Sequence, residues 1–229
     1  MSRSVPTAFF DVDETLMSAK TMLSFRTWWD TRSGGDTTWL QELLHSPSDR
    51  MEKNRAYYRR FAGVPHGLFL AAGHEWYEDH RRGPAPFVVA GLRALRRHRA
   101  AGHRIVLVSG SHRACLDPIA RDLGVDDVLC TELDVDEEGV LTGEIIRPMI
   151  GEAKATAVTA VLAESGTPPE LCFAYGDHSS DLPLLSMVGT PMVVGEDPVL
   201  LSHARDRGWP VLPATAGPPQ GSWSLLRTG

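Results

Sequence analysis

The chain has 229 residues, 42% of them hydrophobic, a net charge of −6 and a pI of about 5.8. That length accommodates one large domain, or a core domain with a small insert, and the acidic balance disfavours nucleic acid as a primary partner. No apolar run approaches the roughly 20 residues of a membrane span, and the opening MSRSVPTAFF has no signal-peptide h-region, so no membrane partner is expected.

Residues 7–12 read as a strand, because Ala8, Phe9, Phe10 and Val12 form a β-prone apolar run. From 18 to 83 no convincing strand follows. KTMLSFRTWWDT has helical spacing, and GGDTTWLQELL offers a loop and an N-cap before an amphipathic run. SPSDRMEKNRAYYRRFAG begins with capping residues and ends in Gly63, and PHGLFLAAGHEWYEDHRRG is bracketed by Pro65 and Gly83. The pattern then changes. FVVAGLRALRRHRAAG (87–102) predicts a helix, RIVLVSGS (104–111) a strand ending in small polar residues, and RACLDPIARDLG a helix with Pro118 as a local irregularity. DVLCTEL and LTGEIIRP are strands joined through the acidic turn DVDEEG, and residues 152–166 are a helix. LCFAYGDHSSD runs from strand into loop, and TPMVVG, PVLLSHARDRG and WPVLP give strand, helix and strand. The tail PATAGPPQGSWSLLRTG reads as irregular, with Trp223 as a candidate anchor. Buried strands alternating with helices predict a Rossmann-like α/β core with a parallel sheet flanked by helices. The core spans 1–17 and 84–229, and a small all-α domain, 18–83, is inserted after strand one.

In such sheets ligands bind beyond the carboxyl ends of the strands. Three strands end in polar clusters: Asp11-Val-Asp13, Ser109-Gly-Ser111, and Gly176-Asp177 leading to Asp181. Lys154 joins them as one of only three lysines, with Lys20 and Lys53, among 23 basic residues. Four carboxylates cannot all ionise close together without a cation, and all-oxygen ligation favours Mg²⁺. A Mg²⁺ site beside a Lys, a Ser hydroxyl and Gly-flanked amides suits a phosphoryl group. One carboxylate can then serve as nucleophile and a second as proton donor.

The ordered set DVDET (11–15), VLVSGS with Ser109, GEAK with Lys154 and GDHSSD (176–181) resembles the haloacid dehalogenase (HAD) superfamily of phosphatases. That family has DxDx[TV] after strand one, then a Ser or Thr after strand two, a Lys, and GDxxxD after strand four. The likeness extends to the TELDVDEEGVLTGEI hairpin and points to the phosphoserine-phosphatase-like branch (subfamily IB), whose helical C1-type cap follows strand one. The short Lys154–Asp177 interval leaves no room for the later kind of cap. The resemblance implies that Asp11 becomes an aspartyl phosphate, and that Asp13 protonates the leaving alcohol and then activates water. It implies Mg²⁺ held by the Asp11 carboxylate, the Asp13 carbonyl and Asp177, with Asp181 supporting the metal or Lys154. Ser109, Gly110 and Lys154 hold the phosphoryl oxygens. Glu14 and Thr15 are expected to be structural, Thr15 hydrogen-bonding within its own loop.

Specificity is less constrained. Phosphoserine-specific members carry a Glu soon after the DxD, and the ungapped position here is Lys20. This charge reversal argues against free phosphoserine and makes Lys20 a candidate to face an anionic or hydroxyl-rich part of another ester. Arg55 and Arg59, at i and i+4, could present a basic face over the site. His178 and His112 are further candidates, although each reads more simply as a loop histidine. Trp28, Trp29, Tyr57, Tyr58 and Trp76 fit the core of the insert better than a ligand platform. The expected activity is Mg²⁺-dependent hydrolysis of a phosphate monoester of a small metabolite, by a monomer or homodimer. Cys115, Cys130 and Cys172 lack metal-site spacing and suit a reducing cytoplasm. A phosphotransferase passing the aspartyl phosphate to an acceptor alcohol is the nearest alternative. A non-catalytic phospho-Asp signalling or binding protein is the alternative from another class.

Overall fold

A computed structural model of the chain describes residues 5–218. Strand β1, Thr7–Phe10, is fully buried and lies at the centre of a seven-stranded sheet. It pairs in parallel with β3 (Arg104–His112) on one side and β6 (Phe173–Gly176) on the other. Beyond β3 lie β4 (Asp127–Val135) and the antiparallel β5 (Leu141–Arg147); beyond β6 lie β7 (Thr190–Val194) and β8 (Val211–Leu212). The sheet is therefore parallel except at one edge, as the sequence pattern predicts.

Helices cover both faces, which is why the central strands read as unbroken apolar runs. One face packs α7 (Glu152–Ser165), α8 (Leu182–Leu185) and α9 (Pro198–Arg207) over Phe9, Val106 and Val193. The other packs α5 (Val89–Ala100) and α6 (Arg113–Leu123) over Phe10, Ile105 and Leu107. Its core continues without a break into four helices set between β1 and α5: α1 (Thr21–Ser33), α2 (Thr38–His45), α3 (Arg50–Arg59) and α4 (His66–Arg81). Phe25, Phe61, Phe69 and Trp76 form the centre of that extension. The start of α3 has the reciprocal cap its sequence announces: Asp49 accepts from the Glu52 N–H at 2.8 Å and Glu52 accepts from the Asp49 N–H at 3.3 Å.

Two expectations need correction. Phe87–Val88 do not begin the helix; they form a short strand, β2, paired antiparallel with β9, Ala216–Gly217. The front of the tail is accordingly regular, because its backbone pairs with Phe87 and Val88 in a separate two-stranded sheet. Trp223 lies outside the described residues. The insert is stitched at its base: Ser18 N–H donates to the Pro86 carbonyl at 3.0 Å and Val88 N–H to the Leu16 carbonyl at 2.9 Å. No helix of the described residues is long and apolar enough to cross a membrane.

Candidate active site

The parallel order carries the ends of β1, β3 and β6 to one edge of the sheet, beside the first turn of α7. Lys154 in that turn is 4% exposed. Its Nζ donates to Asp11 Oδ1 at 2.5 Å and to Asp181 Oδ1 at 2.6 Å. Carboxylate oxygens of Asp11, Asp177 and Asp181 all lie within 4.8 Å of one another. Gly176 makes this approach possible, because a Cβ there would sit 2.7 Å from the Asp181 Cβ. Burial opposes the Lys154 charge, but Asp11 and Asp181 outweigh it and hold the ammonium charged far above its ordinary range. Burial pushes the Asp11 carboxyl well up, and burial together with the Asp181 charge pushes Asp177 up to about 7. Three carboxylates face one ammonium, so the donor set carries surplus negative charge and only oxygen ligands. That fits a hard divalent cation.

Asp13 is not a member of that carboxylate cluster. Its Oδ1 accepts from the Thr21 N–H at 2.9 Å and the Thr21 hydroxyl at 2.6 Å. Lys20, the residue at the N-cap of α1, makes no side-chain cap, so Asp13 caps that helix from eight residues upstream. Burial raises the Asp13 carboxyl, and the two Thr21 bonds partly offset this. The Asp13 side chain is thus engaged with the start of α1 and not with the carboxylate cluster. Thr15 differs from expectation too: it bonds not within its own loop but to Asp177 Oδ1, at 3.3 Å. Glu14 between them has φ +58°, the one non-glycine residue with positive φ among the described residues.

Ser109 is buried and Gly110 half-buried where β3 slips against β4: Ser109 faces Cys130, yet His112 faces Thr131, the very next residue. This bulge breaks the strand's alternation, so both Ser109 and Gly110 reach the cavity. The cavity has a volume of about 370 Å³. Its floor is the acidic cluster and Lys154; its roof comes from the inserted helices, with Leu23, Leu40, Leu44 and Tyr57 on the apolar side.

Lys20 stands at the rim, about half exposed, paired with Glu14 at 3.5 Å. Arg55 and Arg59 do not line the cavity. At 100° per residue, the burial of Tyr57 and Tyr58 turns Arg50, Lys53, Asn54 and Tyr57 inward and leaves both arginines outside. Arg59 pairs with Glu144 on β5 at 3.2 Å. His178 does line the cavity, and Arg50 reaches across to its loop, donating to the Ser180 hydroxyl at 2.8 Å. His112 is not a loop residue. It is 1% exposed, with its ring against Phe25 and Phe69, and takes no place in the cavity.

The family pattern described as haloacid dehalogenase-like hydrolase matches residues 8–186. A phosphoserine phosphatase of Mycobacterium tuberculosis (strain H37Rv) is 30% identical over 217 residues, covering 89% of this chain and 69% of that one. A histidinol-phosphatase of Neisseria meningitidis is 26% identical over 229 residues, covering 90% and 97%. A solved structure of a protein of unknown function from Bordetella pertussis Tohama I superposes with a TM-score of 0.81 at 25% identity, covering 92% of this chain and all of that one. The parallel α/β sheet, its acid-lined edge and the helical segment after its first strand agree with that family pattern and with the phosphatases among these relatives. The chain belongs to the haloacid dehalogenase-like hydrolase family, within which it is a phosphoserine-phosphatase-like phosphatase.

Proposed function

We propose that this protein is a Mg²⁺-dependent phosphatase that hydrolyses a phosphate monoester of a small metabolite through an aspartyl phosphate on Asp11. The observation that carries this reading is the separation of the two acids of DVD: Asp11 is held by Lys154 in the carboxylate cluster, whereas Asp13 is held apart by Thr21. Asp11 attacks phosphorus, the bond from phosphorus to the leaving oxygen breaks, and Asp13 gives that oxygen its proton. The raised carboxyl of Asp13 favours the protonated form with which this step begins. Water then attacks phosphorus, Asp13 takes its proton, and phosphate departs as Asp11 is regenerated. Ser109, the Gly110 N–H and Lys154 stabilise charge on the phosphoryl oxygens. Asp11, Asp177 and the Asp13 carbonyl would hold Mg²⁺, supported by Asp181; when bound it supplies charge neutralisation at the carboxylates and the phosphoryl group.

Residues 18–83 act as the cap over this cavity, and the Arg50–Ser180 bond is one of its contacts with the core. Three free, buried cysteines suit a reducing, cytoplasmic setting. The test is phosphate release from phosphoserine, histidinol phosphate, sugar phosphates, nucleoside monophosphates and an aryl phosphate, with Mg²⁺. Activity on at least one ester is expected, abolished both by Asp11→Asn and by a chelator. Folded protein that binds Mg²⁺ and releases phosphate from none of them would overturn the reading.

A further inference from the structure

A second depression, of about 700 Å³, adjoins the catalytic cavity. Lys20, Leu23, Leu40 and Leu44 line both spaces, so these side chains form the wall that the two share. The depression follows one complete face of α1: Lys20, Leu23, Ser24, Thr27, Trp28 and Thr31 recur at the i, i+3, i+4 spacing. From Lys20 to Arg32 that face is about 18 Å long at 1.5 Å per residue.

The polar groups along this face already have partners. Thr27 and Thr31 hydroxyls donate back to the Leu23 and Thr27 carbonyls at 3.0 and 2.7 Å. Ser24 accepts from Trp76 Nε1 at 3.1 Å. Trp28 Nε1 and Arg32 both donate to Asp79 at the far end, each at 2.9 Å. What the groove offers a ligand is therefore mainly apolar surface, from Leu23, the 39%-exposed Leu44 and the edge of the Trp28 ring, whose face the Arg32 guanidinium covers at 4.5 Å, with the Gln41 amide beside them. It meets the catalytic cavity along the shared wall, whose exposed members are Lys20 and Leu44.

We infer that the substrate's leaving group carries an extended apolar chain, which passes Lys20 and Leu44 and lies in the groove between α1 and α2. The substrate class is then a phosphate monoester of an amphiphilic alcohol. This rests on the phosphatase reading above and adds the direction and chemistry of the leaving group to it. Each methylene moved from water to the groove contributes about 0.8 kcal/mol, about fourfold in kcat/KM.

The test is a series of n-alkyl phosphates from ethyl to decyl, kept below their micelle-forming concentrations. In the wild-type protein kcat/KM should climb twofold to fourfold per methylene until the groove is filled. Thr27 lies on the groove floor, outside the catalytic cavity, and is exposed, so Thr27→Trp blocks the path without burdening the core. That variant should hydrolyse ethyl phosphate within twofold of wild type and lose at least tenfold on the decyl ester. Calorimetry with alkylphosphonates, which this chemistry does not cleave, reads the groove without turnover: decylphosphonate should bind at least tenfold more tightly than ethylphosphonate. Hydrolysis of short esters with no chain-length dependence, or equal binding of the two phosphonates, would overturn the inference and leave the phosphatase reading intact. Hydrolysis of an ester of the earlier panel with every alkyl phosphate untouched would likewise overturn the inference and leave that reading intact; release from no ester of either set would overturn that reading, and the phosphonate affinities would then decide the groove alone.

Discussion

Lys154 is the residue on which the charge balance of the site turns. With Lys154→Met, the buried Asp11 and Asp181 lose their shared counter-ion. Removing one partner of a buried pair costs about 3–5 kcal/mol. A fall of that order in unfolding free energy is expected at neutral pH without metal, with part of it restored by Mg²⁺, as denaturant titrations with and without the ion would read. Turnover should fall at least 10²-fold, the scale of losing one preorganised charge stabiliser. Thr21 acts on Asp13 rather than on the substrate. Thr21→Val keeps the backbone bond to Asp13 and deletes the hydroxyl one, so a drop of about tenfold in kcat with KM little changed is expected in steady-state kinetics. The acids, Ser109 and Lys154 were all legible as residues, because each sits at a strand end or first helical turn with a distinctive spacing. Thr21 was not. Its bond to Asp13 spans a loop whose shape depends on the left-handed Glu14, and nothing in local spacing announces a helix capped from eight residues upstream.

At the scale of elements, the contact of α4 with α6 joins the insert to the core. Gly73 allows it: a Cβ there would lie 1.8 Å from the Ala114 carbonyl oxygen. Gly73→Ala must separate the two helices, and a loss of about 1–3 kcal/mol is expected. Calorimetric unfolding would measure it, and limited proteolysis should cut the segment between α1 and α4 sooner. The helices of the insert were readable one by one from their caps and periodicity. Their rotations were not, because those depend on which side chains the aromatic core accepts. The case of α3 is direct: Arg55 and Arg59 looked like a pair over the site, but Tyr57 and Tyr58 are the residues buried, and the helix turns accordingly. The short β2–β9 pairing escaped sequence reasoning for a related reason, since two residues at each end carry no periodicity.

For the whole molecule, buried histidines lower stability in acid, while the raised carboxyls of Asp11 and Asp177 act in the opposite direction. Burial lowers His112 to about 3, and its Nδ1 has no hydrogen-bond partner. The unfolded chain takes up that proton near 6.5, so between about 6.5 and about 3 only the unfolded state is protonated at this position. Stability is complete above that window and declines as pH falls through it, by up to about 1.4 kcal/mol per unit from this residue. His112→Phe suits the aromatic surroundings and removes the titration. The difference in melting temperature between pH 7 and pH 5 should shrink in that variant, and an unchanged difference would place the acid sensitivity elsewhere, with His98, lowered to about 4, the next to examine.

The central position of β1 bears on how the chain is made. Thr7 pairs with Arg104 and Ala8 with Phe173, partners 97 and 165 positions later in the chain. At about 5–20 residues per second, a ribosome would deliver the first partner about 5–20 s after β1 and the second about 8–33 s after it. Throughout that interval a fully buried strand has no native neighbour in the sheet, while the helical turns of α1–α4, all synthesised before β3, can form within microseconds. A collapsed insert holding β1 near its future partners would shorten the exposure, so the segment that roofs the catalytic cavity would also serve as the first shelter for the strand that carries Asp11 at its end.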